Sequence, residues 1–309
     1  MTFVRAAIIF ILCIVLIMPS RAFMPVNYNN AASGDTGIVA DGAVPQLISH
    51  QFSFAEGPAV DKDGNIFFTD QPNNRIWEYS TDGKFSIFME PCGRSNGLYF
   101  DHKGNLLACA DEQNQLWKIS PQKKVTVLLK DLDGKKLNGP NDLWVSPTGA
   151  IYITDPYYQR DYWTRKQPEI DGQFVYLISK EGKTIKPVIT NLQKPNGIVG
   201  TPDGKYLYVA DIQGNKTYRY AIQHDGSLKD EMVFTELGSD GMTIDEQGNL
   251  YLTGNGVTVF NPQGKQIAHF PIPEKWTGNL AFGGKDRKLL FITASEGIYT
   301  LKMNVRGVE

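Results

Sequence analysis

Six segments of the chain follow one plan, and this repeat constrains the fold more than any other feature of the sequence. Each segment contains a short apolar strand, a turn, a second apolar strand, a polar loop, a third strand and another turn. The segments recur every 39 to 55 residues, and a further short strand follows each second turn of the first five. Four-stranded units of about 40 to 50 residues are typical of β-propeller blades. The sequence therefore predicts an all-β protein, a six-bladed β-propeller with four-stranded blades.

The sixth repeat offers only three strands, and residues 45–52, ahead of the first repeat, can supply the fourth. Pairing the N-terminal strand into the last blade would close the ring and leave no open sheet edge. A solenoid is the alternative, but the sequence lacks the capping repeats that a solenoid needs. We therefore expect the propeller to span residues 45–303, with an N-terminal extension at 23–44 and a C-terminal tail at 304–309.

Residues 1–22 have the pattern of a secretory signal peptide. A basic residue, Arg5, precedes an apolar run over residues 6–18, and Ser20 and Ala22 provide the small residues that a signal peptidase reads. The run is thirteen residues long, shorter than the roughly 20 residues that a membrane helix needs. We expect cleavage after Ala22 and export to the periplasm or the medium, which leaves no stable membrane span. An uncleaved N-terminal anchor is the alternative.

Composition and charge set aside several classes of function. The formal net charge is −2 and no stretch is rich in Lys and Arg, which argues against a nucleic-acid partner. Neither a phosphate-binding glycine loop nor a Ser-His-Asp arrangement is apparent. Two cysteines, Cys92 and Cys109, remain after the predicted cleavage. Export would permit a disulfide between them, and two buried free thiols are an equally acceptable interpretation. The oligomeric state is left open.

An oxygen-bearing residue stands at one fixed place in every repeat. In the first five repeats it lies eight residues before the glycine of the first turn, and in the sixth it holds the matching place. The six residues are Glu56, Asn96, Asn141, Asn196, Asp240 and Asn279. The innermost strands of a propeller line its central channel, so residues in one register form a ring around the axis. The sequence therefore predicts a ring of carboxylate and amide oxygens.

Such a ring suits a hard divalent cation. Oxygen ligands without thiol or imidazole groups favour Ca²⁺, Mg²⁺ or Mn²⁺ over softer metals. Two enclosed carboxylates, those of Glu56 and Asp240, would repel one another unless a cation joined them. The alternative is that these residues only open turns, a common role for Asn and Asp but not for Glu. We expect one divalent cation, with Ca²⁺ as first candidate and Mg²⁺, Mn²⁺ or Zn²⁺ as alternatives.

Blade 3 carries the longest departure from the repeat, an insertion at residues 156–171. The insertion follows a second strand, so it should lie over the same face as the ring, and it is rich in aromatic and basic residues. We interpret Tyr157, Tyr158 and Arg160 as substrate-binding residues on a wall or lid. A surface loop without function is the alternative.

Further acidic residues receive structural interpretations. One aspartate closes the second strand of each of the first four blades: Asp70, Asp111, Asp155 and Asp211. We expect these four to cap loops by accepting hydrogen bonds from backbone amides. Asp142, next to Asn141, either orients a ligand or begins its strand.

Four short motifs, in order and in the corresponding blades, resemble those of the gluconolactonase/regucalcin family of six-bladed propellers. They are EGP at Glu56, PND at Asn141, PNG at Asn196 and DGM at Asp240. The resemblance runs over residues 46–302 and implies that Glu56, Asn196 and Asp240 ligate the cation, with Asn141 as a ligand or a substrate contact. Some sugar-lactone members use an Arg to bind hydroxyl groups, and Arg94 is the nearest candidate for its equivalent here.

The resemblance also implies an activity, the divalent-metal-dependent hydrolysis of small lactones, with sugar lactones as first candidates. A bound cation would polarise the lactone carbonyl. Asp240 is the candidate general base because it is acidic and lies on the ring. Two alternatives stay open at this point. One is a non-catalytic propeller that binds calcium or another ligand, and the other is an organophosphate-hydrolysing relative that uses the same ring.

Overall fold

The computed structural model describes residues 37–180, 182 and 184–308. These residues form six antiparallel sheets of four strands each, arranged as the blades of a propeller. The fold class predicted from the repeats is therefore confirmed. The predicted signal peptide, residues 1–22, lies outside the described residues, and so does its cleavage site. No helix in the described part of the chain is long and apolar enough to cross a membrane.

The first three blades follow one another along the chain. Strand β1 (Gln46–Ser49) precedes them and belongs to the last blade. Blade 1 contains β2 (Ala55–Val60), β3 (Ile66–Asp70), β4 (Arg75–Tyr79) and β5 (Phe85–Met89). Blade 2 contains β6 (Ser95–Phe100), β7 (Leu106–Ala110), β8 (Gln115–Ile119) and β9 (Val125–Leu129), with a 3-10 helix at Asp111–Gln113. Blade 3 contains β10 (Leu143–Val145), β11 (Ile151–Asp155), β12 (Phe174–Ile178) and β13 (Ile185–Ile189).

The last three blades complete the ring. Blade 4 contains β14 (Pro195–Gly200), β15 (Tyr206–Asp211), β16 (Lys216–Ile222) and β17 (Leu228–Thr235). Blade 5 contains β18 (Met242–Ile244), β19 (Leu250–Gly254), β20 (Gly256–Phe260) and β21 (Gln266–Phe270). Blade 6 contains β22 (Asn279–Gly283), β23 (Leu289–Ala294) and β24 (Gly297–Lys302), with β1 as its outermost strand.

The innermost strands contact one another in a closed cycle. Each of β2, β6, β10, β14 and β18 contacts the innermost strand of the next blade, and β22 contacts β2. This cycle builds the axial channel. Residues at the start of each innermost strand therefore meet at one end of the channel.

The two ends of the chain join in blade 6. Strand β1 pairs antiparallel with β24, and Gln46 lies opposite Thr300. The expectation that the N-terminal strand closes the ring is confirmed. Pairing continues outside these strands, because Val39 bridges Met303 and Gly307 bridges Asp245 of blade 5. Residues on both sides of the predicted propeller boundaries therefore pack against the blades.

Aromatic side chains fill the space between neighbouring blades. Phe68 of blade 1 and Phe291 of blade 6 are fully buried, and their ring centroids lie 5.4 Å apart. Tyr251 of blade 5 meets Phe282 of blade 6 edge-to-face at 5.2 Å. Edge-to-face and tilted contacts of this kind add to the free energy gained from burying the rings. The interfaces between blades are thus the hydrophobic core of the molecule.

The first turn of several blades is organised by an aspartate side chain. Asp245 accepts hydrogen bonds from the backbone and side-chain amides of Asn249. Asp61 and Asp101 accept the equivalent hydrogen bonds from Asn65 in blade 1 and Asn105 in blade 2. Gly248, inside the turn, has a φ of 80°, which glycine adopts without strain. These turns lie at the end of the innermost strand that is remote from the ring, so they fix strand register away from the site.

Both cysteines in the described part of the chain, Cys92 and Cys109, are free and buried. Burial raises the pKa of the Cys92 thiol to about 11 and moves the pKa of Cys109 in the same direction. Of the two interpretations that the sequence allowed, buried free thiols is the one observed. Neutral thiols of this kind are poor nucleophiles and poor metal ligands.

Candidate active site at the axial channel

A pocket of about 200 Å³ opens at the end of the channel where the innermost strands begin. Five of the six predicted ring residues line it: Glu56, Asn96, Asn141, Asn196 and Asp240. Asn196 lies inside β14 and Glu56 inside β2, while Asn141 and Asp240 stand just ahead of β10 and β18. Asn279, the sixth ring residue, is not among the residues lining this pocket. The structure therefore brings together all four residues predicted as metal ligands.

Glycine after the ring residue lets neighbouring blades approach closely. A Cβ placed at Gly97 would lie 2.6 Å from the carbonyl oxygen of Asn141, and one at Gly197 would lie 2.6 Å from that of Asp240. The same crowding holds Gly57 against the next ring residue, Asn96. No side chain fits in these gaps. The E-G, N-G and D-G pairs of the sequence are thus required by the narrowness of the ring.

Two side chains donate hydrogen bonds to the Asp240 carboxyl in the pocket. Its Oδ1 accepts a hydrogen bond from Nδ2 of Asn196 at 2.7 Å, and its Oδ2 accepts one from Nε1 of Trp276 at 2.6 Å. Asn196 Nδ2 also donates to the hydroxyl of Tyr158 at 3.0 Å. The Glu56 carboxyl lies near that of Asp240, close enough for the two charges to interact. The carboxyl groups of Glu56 and Asp240 therefore share one small space, and a hydrogen bond to each of its two oxygens fixes the orientation of the Asp240 carboxyl.

Burial dominates the electrostatics of this acid pair. Desolvation, together with the nearby charge of Asp240, raises the pKa of Glu56 well above its ordinary value. Desolvation also raises the pKa of Asp240 to about 6, although the hydrogen bonds from Trp276 and Asn196 act in the opposite direction. Asp240 keeps part of its surface open to the pocket, but the surrounding protein atoms enclose its carboxyl group. Two such carboxylates cannot both be ionised at neutral pH without a compensating positive charge.

A third acid lies next to this pair. Asp142 is buried, and burial raises its pKa to about 7. Its Oδ1 accepts a hydrogen bond from the backbone amide of Leu143 at 2.9 Å, and its Oδ2 accepts one from Nδ2 of Asn279 at 3.4 Å. Asp142 therefore links the channel walls of blades 3 and 6. Asn279 contributes to this link and not to the pocket lining.

The ring residues fit a hard divalent cation. Oδ1 of Asn196 is buried and has no hydrogen-bond partner in the structure, so a ligating oxygen is available beside the two carboxyl groups. Amide and carboxylate oxygens are the donors that Ca²⁺ and Mg²⁺ prefer. Among residues 37–180, 182 and 184–308, no group of three or more His, Cys, Asp and Glu gathers as a metal cluster. Any cation here would therefore rely on Asn oxygens together with Glu56 and Asp240.

The insertion of blade 3 reaches over the pocket, as its position in the repeat predicted. Tyr158 and Arg160 line the pocket. Two cations lie against the Tyr158 ring: the Arg160 guanidinium is 5.5 Å from its centroid and the Lys194 ammonium is 4.5 Å from it. Tyr157 does not line the pocket, and its hydroxyl donates to Gln159 at 2.7 Å. Of the three substrate-binding residues predicted in the insertion, the structure thus brings two to the site.

Asp111 anchors this insertion, which differs from the capping role expected for it. Its Oδ2 accepts hydrogen bonds from Nε of Arg160 at 2.7 Å and from the hydroxyl of Tyr162 at 2.6 Å. Its backbone oxygen accepts one from the indole of Trp163. The other three aspartates in this series, Asp70, Asp155 and Asp211, do accept hydrogen bonds from backbone amides.

Arg94, the candidate for binding substrate hydroxyl groups, lies against the insertion of blade 3. Its guanidinium donates to the backbone oxygen of Pro72 at 2.8 Å and stacks 4.6 Å from the centroid of the Tyr162 ring. Arg94 does not line the axial pocket. It packs against Tyr162 of the insertion and is not placed to bind a substrate in the channel.

Trp276 is a site residue that the repeat pattern did not predict, and Phe54, Gln71 and Ile212 line the pocket without having been predicted either. Trp276 comes from the connection between β21 and β22, which the repeat pattern treats as an ordinary loop. Its indole donates to Asp240 and its side chain lines the pocket. An exposed aromatic residue just ahead of a ring strand was the available signal, since large apolar side chains on loops often mark binding sites.

The fold and the site define a class of protein: a six-bladed propeller with an acidic and amide ring at one mouth of its axial channel. A protein-family model described as "SMP-30/Gluconolactonase/LRE-like region" matches residues 54–296. The chain therefore belongs to this family. The resemblance inferred from the four motifs is confirmed.

Individual relatives agree with this assignment. A gluconolactonase from Zymomonas mobilis is 28% identical over 303 residues, covering 87% of this chain and 84% of the relative. A diisopropyl-fluorophosphatase from Loligo vulgaris is 28% identical over 273 residues, covering 78% of this chain and 86% of the relative. The solved structure of a gluconolactonase from Xanthomonas campestris superposes with a TM-score of 0.82 at 26% identity, covering 88% of this chain and 94% of the other.

Proposed function

We propose that this protein hydrolyses lactones at the axial pocket. The observation that carries the proposal is the pairing of Glu56 and Asp240 beside the unpartnered Oδ1 of Asn196, in a pocket of about 200 Å³. Similarity to a gluconolactonase over most of the chain supports the same chemistry. The size of the pocket favours small, compact rings, and we propose sugar lactones as the substrates.

We further propose that a divalent cation, with Ca²⁺ as first candidate, belongs to this site. Glu56, Asn141, Asn196 and Asp240 would hold it. When bound, it would act as a Lewis acid that polarises the lactone carbonyl and neutralises the acid pair.

The residues of the chain have separate tasks in this reaction. Asp240 is the candidate general base: it takes a proton from the water that attacks the carbonyl carbon, and it returns the proton to the ring oxygen as the C–O bond breaks. The product is the open hydroxy acid. Trp276 and Asn196 hold the Asp240 carboxyl in one orientation for both transfers. Tyr158 and Arg160 supply hydrogen-bond donors at the wall for substrate hydroxyl groups.

Organophosphate hydrolysis is the second candidate function. The squid relative named as a diisopropyl-fluorophosphatase favours it, since it covers 78% of this chain at 28% identity. A non-catalytic role in calcium binding would use the same ring without turnover.

One experiment separates these functions. Purified protein is assayed by proton release with γ- and δ-lactones and with diisopropyl fluorophosphate, before and after treatment with EDTA and after readdition of Ca²⁺, Mg²⁺, Mn²⁺ or Zn²⁺. Lactone turnover that is lost on chelation and restored by one cation supports the proposal. Turnover of diisopropyl fluorophosphate alone supports the second candidate, and no turnover of either substrate class with bound calcium supports the non-catalytic one.

We also propose that the protein is exported. The basic residue, apolar run and small residues of positions 1–22 support this. Mass spectrometry of the protein recovered from the periplasm or medium is expected to give Phe23 as the first residue. A cell-retained protein with an intact N-terminus would contradict the proposal.

A further inference from the structure

A second pocket lies beside the axial one. It has a volume of about 390 Å³, within the range of roughly 300 to 1,000 Å³ typical of small-ligand sites. Ile212 and Trp276 line both pockets. The indole nitrogen of Trp276 bonds to Asp240 in the axial pocket, and its six-membered ring lies over Gly254, where a Cβ would be 3.6 Å from Cη2. A ligand in the axial pocket therefore has an adjoining space on the far side of this tryptophan.

The connections on this face explain why that space exists. In blades 1, 2 and 4, four residues join the second strand to the third, and in blade 3 the insertion does so. In blade 5 a single residue, Asn255, joins β19 to β20. Blade 5 therefore has the shortest of these connections, since two residues join β23 to β24 in blade 6. The space is bounded by blade 4 on one side and by Trp276 on the other.

The lining of this pocket is rich in hydrogen-bonding groups and has no Asp, Glu, Lys or Arg. Its polar side chains are Asn215, Ser239, Thr253, Asn255, Thr258, Gln266 and His269. The Ser239 and Thr253 hydroxyls are buried and already donate to backbone oxygens, so the groups available to a ligand are chiefly the amides of Asn255 and Gln266 and the Nε2 of His269. His269 is hydrogen-bonded through Nδ1 to the Thr258 hydroxyl at 3.0 Å, and burial lowers its pKa, so the ring is neutral at pH 7. Side chains that are neutral donors and acceptors recognise neutral hydroxyl groups.

The apolar part of the lining points to the same ligand class. Trp276 is about one-third exposed and offers an aromatic face, and Leu237 and Ile212 continue the apolar surface. Sugar rings have one face of C–H groups, which packs on an aromatic ring, and an edge of hydroxyls, which bonds to amides and hydroxyls. A charged or purely apolar ligand would satisfy only part of this lining.

We propose that this pocket, the blade 5 subsite, binds a second sugar ring attached to the lactone. The inference rests on the proposed lactonase function and narrows its substrate class to lactones that carry a neutral glycosyl substituent. The lactone ring occupies the axial pocket, and the substituent passes Trp276 into the blade 5 subsite. Binding of the substituent supplies affinity remote from the reacting carbonyl.

The test compares two probes, glucono-δ-lactone and cellobiono-δ-lactone, in the metal-loaded protein. The variant is Gln266→Trp, which places a large side chain at an exposed lining position at the start of β21. Gln46→Trp is the matched control, because Gln46 is also exposed and also begins the outermost strand of its blade. Asn255→Trp fills the subsite from a second lining position, outside β21, and so separates loss of the subsite from a local effect of changing β21. Thermal melting of each variant checks that it is folded.

We expect kcat/KM for the disaccharide lactone to exceed that for the monosaccharide lactone, and this ratio to fall about tenfold in Gln266→Trp and Asn255→Trp. The control should keep the wild-type ratio. Calorimetry with cellobionate, the hydrolysis product, should show weaker binding to Gln266→Trp and Asn255→Trp than to the wild type and the control. This measurement does not require turnover. Turnover of glucono-δ-lactone with an unchanged ratio in both variants would overturn the subsite and leave the proposed function standing. If neither lactone is hydrolysed, the proposed function fails, and the inference fails with it.

Discussion

The indole Nε1 of Trp276 donates a hydrogen bond of 2.6 Å to Oδ2 of Asp240, and this bond joins the connection between blades 5 and 6 to the ring residue of blade 5. The acceptor is one of two enclosed acids whose pKa values are raised by desolvation. A hydrogen bond to the ionised form opposes that shift. Trp276 therefore favours the carboxylate form that both a ligand and a general base require.

Replacing Trp276 with Phe tests this relationship. The substitution keeps an aromatic ring in the pocket and removes the N–H donor. Hydrogen bonds to charged groups contribute about 1.5 to 3 kcal/mol, so kcat/KM for a lactone should fall by about tenfold or more. Steady-state kinetics at saturating calcium measures the loss. Trp117→Phe is the control, since Trp117 bonds only to Gln115 at 2.8 Å, in an outer part of blade 2, and it should not change the rate.

Replacing Asn196 with Leu removes the unpartnered Oδ1 while keeping a side chain of similar size. We expect calcium affinity to fall by at least the roughly 10- to 100-fold seen when groups around a metal are altered. Isothermal titration of the metal-free protein measures this without an activity assay. Asn191→Leu serves as the comparison, because Asn191 is exposed and bonds only to Glu231. Unchanged calcium binding in Asn196→Leu would remove this residue from the ligand set.

Removal of the cation should lower thermal stability. A ligand at 100 times its Kd stabilises the native state by about 2.7 kcal/mol, and here it also relieves repulsion between Glu56 and Asp240. We expect Tm to fall by several degrees in EDTA and to recover with excess calcium, as followed by circular dichroism. In Glu56→Gln, which lacks one of the two charges, the calcium response should be smaller. EDTA already saturated with calcium is the control for effects of the chelator itself.

The closure of the ring depends on packing at blade 6. Phe291 is fully buried against Phe68 of blade 1, and Phe291→Ala would leave a cavity at this interface. Substitutions of this kind cost about 3 to 5 kcal/mol. Urea denaturation should show that loss, whereas Ile87→Ala, at an outer-strand position that is 43% exposed, should stay within about 0.5 kcal/mol of wild type. An equally small effect of Phe291→Ala would contradict the role assigned to the interface.

The repeat made the fold predictable, because one blade plan repeated in register determines strand number, strand order and the face on which Glu56, Asn141, Asn196 and Asp240 meet. The E-G, N-G and D-G pairs carried real geometric information, since the next blade occupies the space of the missing Cβ. Closure by β1 was predictable for the same reason, as blade 6 lacked a strand.

Residues outside the repeat could not be placed in this way. Trp276 lies in a loop whose path is set by tertiary contacts, so the register argument gives no position for it. Asp111 looked equivalent to Asp70, Asp155 and Asp211, but the insertion unique to blade 3 brings Arg160 and Tyr162 to its carboxylate. Within the insertion itself, two neighbouring side chains have different surroundings: Tyr158 lines the pocket, whereas the Tyr157 hydroxyl donates to Gln159.

The anchoring of the insertion gives the last prediction. Asp111 is almost fully buried, and its Oδ2 holds both Arg160 and Tyr162, so Asp111→Asn would leave the partly buried Arg160 guanidinium without its carboxylate. Removing one partner of a buried ion pair is strongly destabilising, and here it weakens the contact that holds the insertion to blade 2. We expect faster amide hydrogen exchange across residues 156–171 and a KM raised several-fold with a smaller change in kcat, because Tyr158 and Arg160 are then less well positioned. Asp203→Asn, at an exposed turn, should alter neither exchange in the insertion nor KM. A loss in kcat with normal exchange in the insertion would mean that Asp111 acts on the reaction by another route.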